Sequence, residues 1–188
     1  DGAAQLMWMF HGFQALGIHD ENQRESNMLD GGAHFYDTYE CADGEYISIG
    51  SIEPQFYALL KQQLGLSEEE FGNQHDRSQW PGLSERLTEI FKTKTQAQWC
   101  EIMEGTDVCM APVLNMMDAP KHPANAQRDV YIEVDGITQP APAPRFSRTP
   151  GEVRHGAHQL GQDTEATLAA MGFEEQEIVS LRDAGAIV

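Results

Sequence analysis

The sequence predicts an α+β fold. Two strand–turn–strand patterns close on Asp-Gly, at Asp43-Gly44 and Asp135-Gly136. Between and after them run amphipathic helical stretches with recognisable caps. No internal repeat is present, and the only biased tract is a proline-rich stretch late in the chain.

Taken in order, Ala3 to Ile18 is rich in Leu, Met, Trp and Phe, broken only by Gly12 and Gly17, and reads as a largely buried helix. Asp20 to Gly32 is polar, ends in Asp30-Gly31-Gly32 and reads as a loop. Phe35–Glu40 and Glu45–Ile49 form the first hairpin. Ser51 to Leu64 is a helix with Ser51 as N-cap, Pro54 in the first turn, an apolar face of Phe56, Leu59, Leu60 and Leu64, and Gly65 as its stop. Ser67 to Glu70 resembles a capping box opening a short helix. Leu83, Leu87, Ile90 and Phe91 make Pro81 to Lys92 helical, and Thr95 with Gln98 caps another helix ending at Gly105. Ala111 to Leu114 is a short strand or an extended segment, and Asp129–Val134 with Ile137–Thr138 gives the second hairpin. Gln139 to Gly151, with Pro140, Pro142, Pro144 and Pro150, reads as an extended linker. Two amphipathic helices follow, around Thr167–Met171 and Glu175–Arg182.

Thirty acidic against twelve basic residues give a formal charge of −18, which argues against nucleic-acid and anionic-membrane partners. The same charge opposes an anionic ligand unless cationic groups come from another part of the protein. No apolar run approaches the roughly 18 residues of a membrane-spanning helix. Cys41, Cys100 and Cys109 are odd in number and lack metal-ligand spacing, so reduced thiols in a cytoplasmic protein are expected. Asp1-Gly2-Ala3-Ala4 carries neither an initiator Met nor a basic leader region, and the start is expected to lie inside a longer chain.

Generic site signals are weak. His155 and His158 share a helical spacing but lie in a glycine-containing loop with no third ligand in register, so no metal site is expected. Gly31-Gly32 lacks the surroundings of a phosphate loop and reads as a turn. The eight methionines read mostly as core filler.

Four motifs in order carry more. Leu29-Asp30-Gly31-Gly32-Ala33-His34-Phe35-Tyr36, then Ala42-Asp43-Gly44, then Gly50-Ser51-Ile52-Glu53-Pro54-Gln55-Phe56-Tyr57 resemble the central signature of α-methylacyl-CoA racemases in the family III CoA-transferase superfamily. Gly105 to Val113 and the tail from Gly161 to Gly185 are similar to that family's downstream segments. The resemblance implies only the C-terminal half of such an enzyme. Residues 1–34 would belong to a large Rossmann-like domain, 35–139 to a small α+β domain, 140–162 to the linker, and 163–188 to helices returning to the large domain. The parallel sheet of the large domain would be missing, and two chains would interlock as a homodimer.

The resemblance further implies epimerisation at the α-carbon of a 2-methylacyl-CoA, in lipid and fatty-acid metabolism. A base removes the proton on one face and an acid returns it on the other. No cofactor is implied, because CoA is part of the substrate. The family's His and Asp bases lie upstream of the matched segment, so this chain alone is expected to be inactive. Glu53 matches the glutamate that orients the histidine base, as a third group does in a triad. A glutamate at a helix start is also favoured by the helix dipole whatever its chemistry. Met28, Leu29, Tyr36 and Ile52 match positions lining the acyl chain; for Leu29 and Ile52 ordinary core packing is equally open. Two rivals stand beside the racemase. One is a CoA-transferase of the same fold, although its longer glycine run is absent and the Glu-Pro-Gln-Phe-Tyr continuation is present. The other is a non-catalytic assembly module.

Overall fold

A computed structural model of the chain describes residues 1–187; Val188, the last position of the expected C-terminal segment, lies outside the described residues. The chain divides into two compact units, one of residues 1–115 and one beginning at Met116.

The first unit opens with two short helices, α1 (Gly2–Leu6) and α2 (Trp8–Ala15). It then builds a three-stranded antiparallel sheet from β1 (Tyr36–Glu40), β2 (Tyr46–Gly50) and β3 (Met110–Val113), with β2 in the centre. Four helices fill the connection from β2 to β3: α3 (Pro54–Leu64), α4 (Glu68–Phe71), α5 (Trp80–Phe91) and α6 (Gln96–Met103). Their ends follow local chemistry. Gly65 adopts φ +67 and lets the Leu66 N–H reach the Lys61 carbonyl at 2.9 Å, closing α3. The Ser67 side chain accepts from Glu70 N–H at the start of α4, and Thr95 with Gln98 forms a full capping box on α6.

Alternation along the strands sends Tyr39, Ile47 and Ile49 inward. Leu83, Leu87 and Phe91 come from one face of α5. Together with Phe35, Leu60, Phe71, Trp99 and Met103 they form one continuous core. The opposite face of the sheet is uncovered, with Tyr36, Tyr46 and Val113 exposed.

The second unit holds a 3₁₀ turn at Ala119–Lys121, α7 (Pro123–Gln127), a hairpin of β4 (Tyr131–Val134) and β5 (Ile137–Pro140), then α8 (Thr164–Ala170) and α9 (Glu175–Asp183). Asp135 at φ 52 and Gly136 at φ 78 give the hairpin two positive-φ turn residues, the type I′ geometry that suits strand twist. Residues 141–162 form no helix or strand.

Three expectations need correction. Ala3 to Ile18 is not one buried helix. It breaks at Met7 and has no buried residue, because within this chain only Phe10 and Phe13 find partial cover. Ser51 does not cap α3. Glu53 takes the N-cap position without a side-chain capping bond, and the buried Ser51 hydroxyl instead donates to the Val108 carbonyl at 2.6 Å. The methionines are not mostly core. Met103 is buried and Met28 and Met110 pack against the core, while Met7, Met9, Met116, Met117 and Met171 are exposed.

Candidate functional site

The loop before β1 is organised by Asn27. Its backbone N–H and side-chain amide donate to the two carboxylate oxygens of Asp30 at 2.7 and 2.8 Å, and its side-chain oxygen accepts from Asp20 N–H at 2.7 Å. The loop can close this tightly only at Gly32, where an added Cβ would lie 2.4 Å from the Ser26 carbonyl carbon. Gly31, at φ +92, completes the turn.

Folded this way, the loop presents Met28 and Leu29 to an apolar cavity of about 230 Å³, walled also by Phe10, Phe13, Ile18 and Trp80. Arg77 stands at its edge. Its guanidinium lies 5.7 Å from the Trp80 ring and donates to the Ser26 carbonyl at 2.7 Å, tying the segment before α5 to the loop. On the other side of the Asp30 turn, over the uncovered sheet face, lies an open hollow of about 570 Å³ lined by Tyr36, Asp37, Ser48 and Cys109. Burial raises the Asp37 carboxyl above the usual carboxylate range, opposed by the Thr38 N–H and reinforced by the Glu25 charge.

Glu53 stands exposed at the start of α3, and among the described residues its carboxylate makes no hydrogen bond or ion pair. It lines neither space. Its charge does reach Cys109 at the edge of the hollow, where burial first and Glu53 second raise the thiol pKa. The backbone leading to Glu53 is firmly held. Ser51 N–H donates to Phe35 O at 3.0 Å, and the buried Gln74 amide donates to both Ser51 O and Ile52 O, at 3.0 and 2.9 Å. Met28 and Leu29 thus share one apolar wall, Tyr36 lies across the Asp30 turn, Ile52 packs on the core, and Glu53 faces outward.

Sequence reasoning missed Asn27, Gln74, Arg77 and Trp80; the bonds of Gln74 to Ser51 and of Arg77 to Asn27 span 23 and 50 residues, and the shorter ones of Asn27 and Trp80 follow no capping or turn signature. In the sequence, His34 stands out only as part of a motif. It is fully buried, with Nε2 2.8 Å from the Tyr57 hydroxyl. That hydroxyl donates to Phe71 O at 3.0 Å, so it accepts from His34 Nε2–H, and Nδ1 is left without a hydrogen bond. Burial, aided by His75, pushes the imidazole pKa down to about 4. His34 is therefore a neutral core group. His155 and His158 stack at 4.1 Å, and among the described residues no group of three or more potential ligands could hold a metal ion. All three cysteines are free, and no helix among the described residues is long and apolar enough to cross a membrane.

Residues 2–164 match CoA-transferase family III, and the chain belongs to that family. It is 41% identical over 184 residues to the α-methylacyl-CoA racemase of Mus musculus, and 39% identical over 183 residues to that of Homo sapiens. Each match covers 96% of this chain and 48% of the relative, so the chain spans about half the length of these proteins. A CAIB/BAIF family protein from Brucella suis shares the fold, with a TM-score of 0.62 at 20% identity over 86% of this chain and 43% of that one.

Proposed function

We propose that this chain is the C-terminal half of a 2-methylacyl-CoA racemase, in which Glu53 orients a histidine base supplied by the preceding half. The observation that carries the proposal is the Glu53 carboxylate, exposed, uncommitted to its own helix and without a hydrogen bond among the described residues, on a backbone pinned at two carbonyls. A carboxylate kept free at a braced helix start can accept a proton-bearing imidazole nitrogen and stabilise the imidazolium that forms during proton abstraction. The 41% identity to a protein named for this reaction supports the same reading. The acyl chain would lie against Met28 and Leu29, with Tyr36 and Ile52 nearby. CoA would be substrate rather than cofactor, and its phosphates would be met by cations outside this acidic chain.

On this reading residues 1–34 and 163–188 pack with a Rossmann-like half whose sheet is not in this chain, 35–139 form the small domain, and 140–162 link the two. The cytoplasm, where thiols stay reduced, suits it. Leu6 and Trp8, 80% and 67% exposed, suit a helix covered by that half and by a second copy. Self-association of the isolated chain should strengthen with salt, which screens its −18 charge, as sedimentation at low and moderate salt would register.

The test is exchange of the substrate α-proton with solvent deuterium. The protein carrying both halves should exchange it and this chain alone should not. In the former, Glu53→Gln should slow turnover about tenfold to a hundredfold, the scale for a partner that orients a reacting group. An unchanged rate in a folded variant would reduce Glu53 to a helix-terminal charge. Transfer of CoA to a carboxylate acceptor without exchange would make the protein a transferase.

A further inference from the structure

We infer that Gln74 is a positioning residue for Glu53, and that the segment between α4 and α5 exists in its observed form to hold it there; this rests on the proposed role of Glu53. Gln74 lies outside regular secondary structure yet is only 8% exposed. Its side-chain amide donates to two consecutive carbonyls, Ser51 O at 3.0 Å and Ile52 O at 2.9 Å, the two residues immediately before Glu53. A bidentate grip on adjacent peptides fixes their orientation, and with it the direction in which the next side chain leaves the backbone.

Gln74 is itself held. The Trp80 indole N–H donates to its carbonyl at 2.8 Å. Asp76 then stiffens the segment, accepting from the Ser78 hydroxyl at 2.6 Å and the Gln79 amide at 2.9 Å. The Ser78 hydroxyl is also the main reason the Asp76 carboxyl titrates below its usual range. On the far side of the grip, the Ser51 hydroxyl anchors to Val108 O at 2.6 Å. The Glu53 turn is thus clamped from the α4–α5 segment and from the entry to β3, while among the described residues its own carboxylate stays unbonded. A cap on α3 would serve stability as well with a bonded Glu53 side chain. The clamp acts on the backbone and leaves the carboxylate available.

The experiment uses the protein carrying both halves. Gln74→Met keeps side-chain length and removes both donors. It should lower kcat about tenfold, with KM changed less than about twofold, because it disturbs a group that works in the transition state. The decisive arm is the double variant. If Gln74 acts through Glu53, adding Gln74→Met to Glu53→Gln should cost less than about a further twofold in kcat. A residue that merely stabilised the fold would multiply its loss onto that of Glu53→Gln. Should Gln74→Met fail to fold, Trp80→Phe decides: it removes the bond to the Gln74 carbonyl together with part of the ring beside Arg77 and Phe35, and should lower kcat about threefold with the same non-additivity, which lost packing alone would not produce. A slow Glu53→Gln beside an unaffected Gln74→Met, or independent multiplying losses, overturns the inference. A Glu53→Gln variant with full activity instead overturns the reading of Glu53 itself.

Discussion

The two units of the chain contain comparable elements and differ in what those elements bury. Both have an antiparallel hairpin turning at a glycine with positive φ, and both have a helix opened by a capping box, at Thr95 in the first and Glu174 in the second. Yet among the described residues every buried hydrophobic side chain but Ile178 belongs to the first unit. The second does not lack apolar residues: Leu160, Met171, Phe173 and Val179 are all exposed. What it lacks is a second layer to place against them. Local signals are sufficient to draw a helix or a hairpin, whereas a core needs two apolar faces meeting, which in the first unit are the inner face of the sheet and the inner faces of α3, α5 and α6.

The sharpest way to break this contrast is by truncating side chains on each side of it. Phe35 is fully buried, with ring contacts to Tyr57 and Trp80 at 5.9 and 5.8 Å. Phe35→Ala should cost about 3–5 kcal/mol in urea unfolding. Leu160→Ala, at a side chain 96% exposed, should change stability by no more than about 0.5 kcal/mol. Equal effects would mean that the second unit has a core of its own.

A second difference is one of pH. The first unit buries a neutral His34 whose pKa falls from 6.5 to about 4. A base with a depressed folded pKa stabilises the fold fully above its unfolded pKa, because the unfolded chain gains nothing there by protonation. As pH falls from about 6.5 towards 4 the unfolded state takes up the proton first, and stability drops by up to about 3 kcal/mol. Urea midpoints at pH 7.5 and 5 should therefore separate for the parent and converge in His34→Gln, measured relative to each variant's own value at pH 7.5. A parent curve flat over that range would show that the imidazole is solvated.

The smallest effect concerns caps. Thr95→Ala removes an acceptor for Gln98 N–H on a helix whose Trp99 and Met103 are buried, and should cost about 1 kcal/mol of global stability. Glu174→Ala should leave the main unfolding transition in place and loosen only α9, which is read by amide exchange of residues 177–183. A shift of the main transition by Glu174→Ala would show that α9 unfolds together with the core.

The local elements are legible in the order of residues. Asp43-Gly44 and Asp135-Gly136 marked both hairpins, Gly65 marked the end of α3, and Thr95 with Gln98 marked the start of α6. Each of these is settled within a few residues by backbone sterics and capping bonds, so composition and spacing suffice. The ordered motifs around Asp30 and Glu53 also pointed to the family that the matched residues 2–164 establish. Tertiary structure alone decided the rest. Ala111 lies opposite Ser48, and this pairing gives the expected short strand or extended segment its place at the edge of the sheet. Ser51 turns inward to Val108 instead of capping α3, His34 becomes a buried neutral group, and Gln74 reaches back to the carbonyls before Glu53. These depend on which surfaces meet across tens of residues, and a polar side chain drawn into that contact takes the partners found there: carbonyls for Ser51 and Gln74, the Tyr57 hydroxyl for His34 Nε2. The same physics explains Ala3 to Ile18. Its apolar composition called for burial, but burial belongs to a pair of surfaces, and among the described residues only Phe10 and Phe13 of that stretch are partly covered.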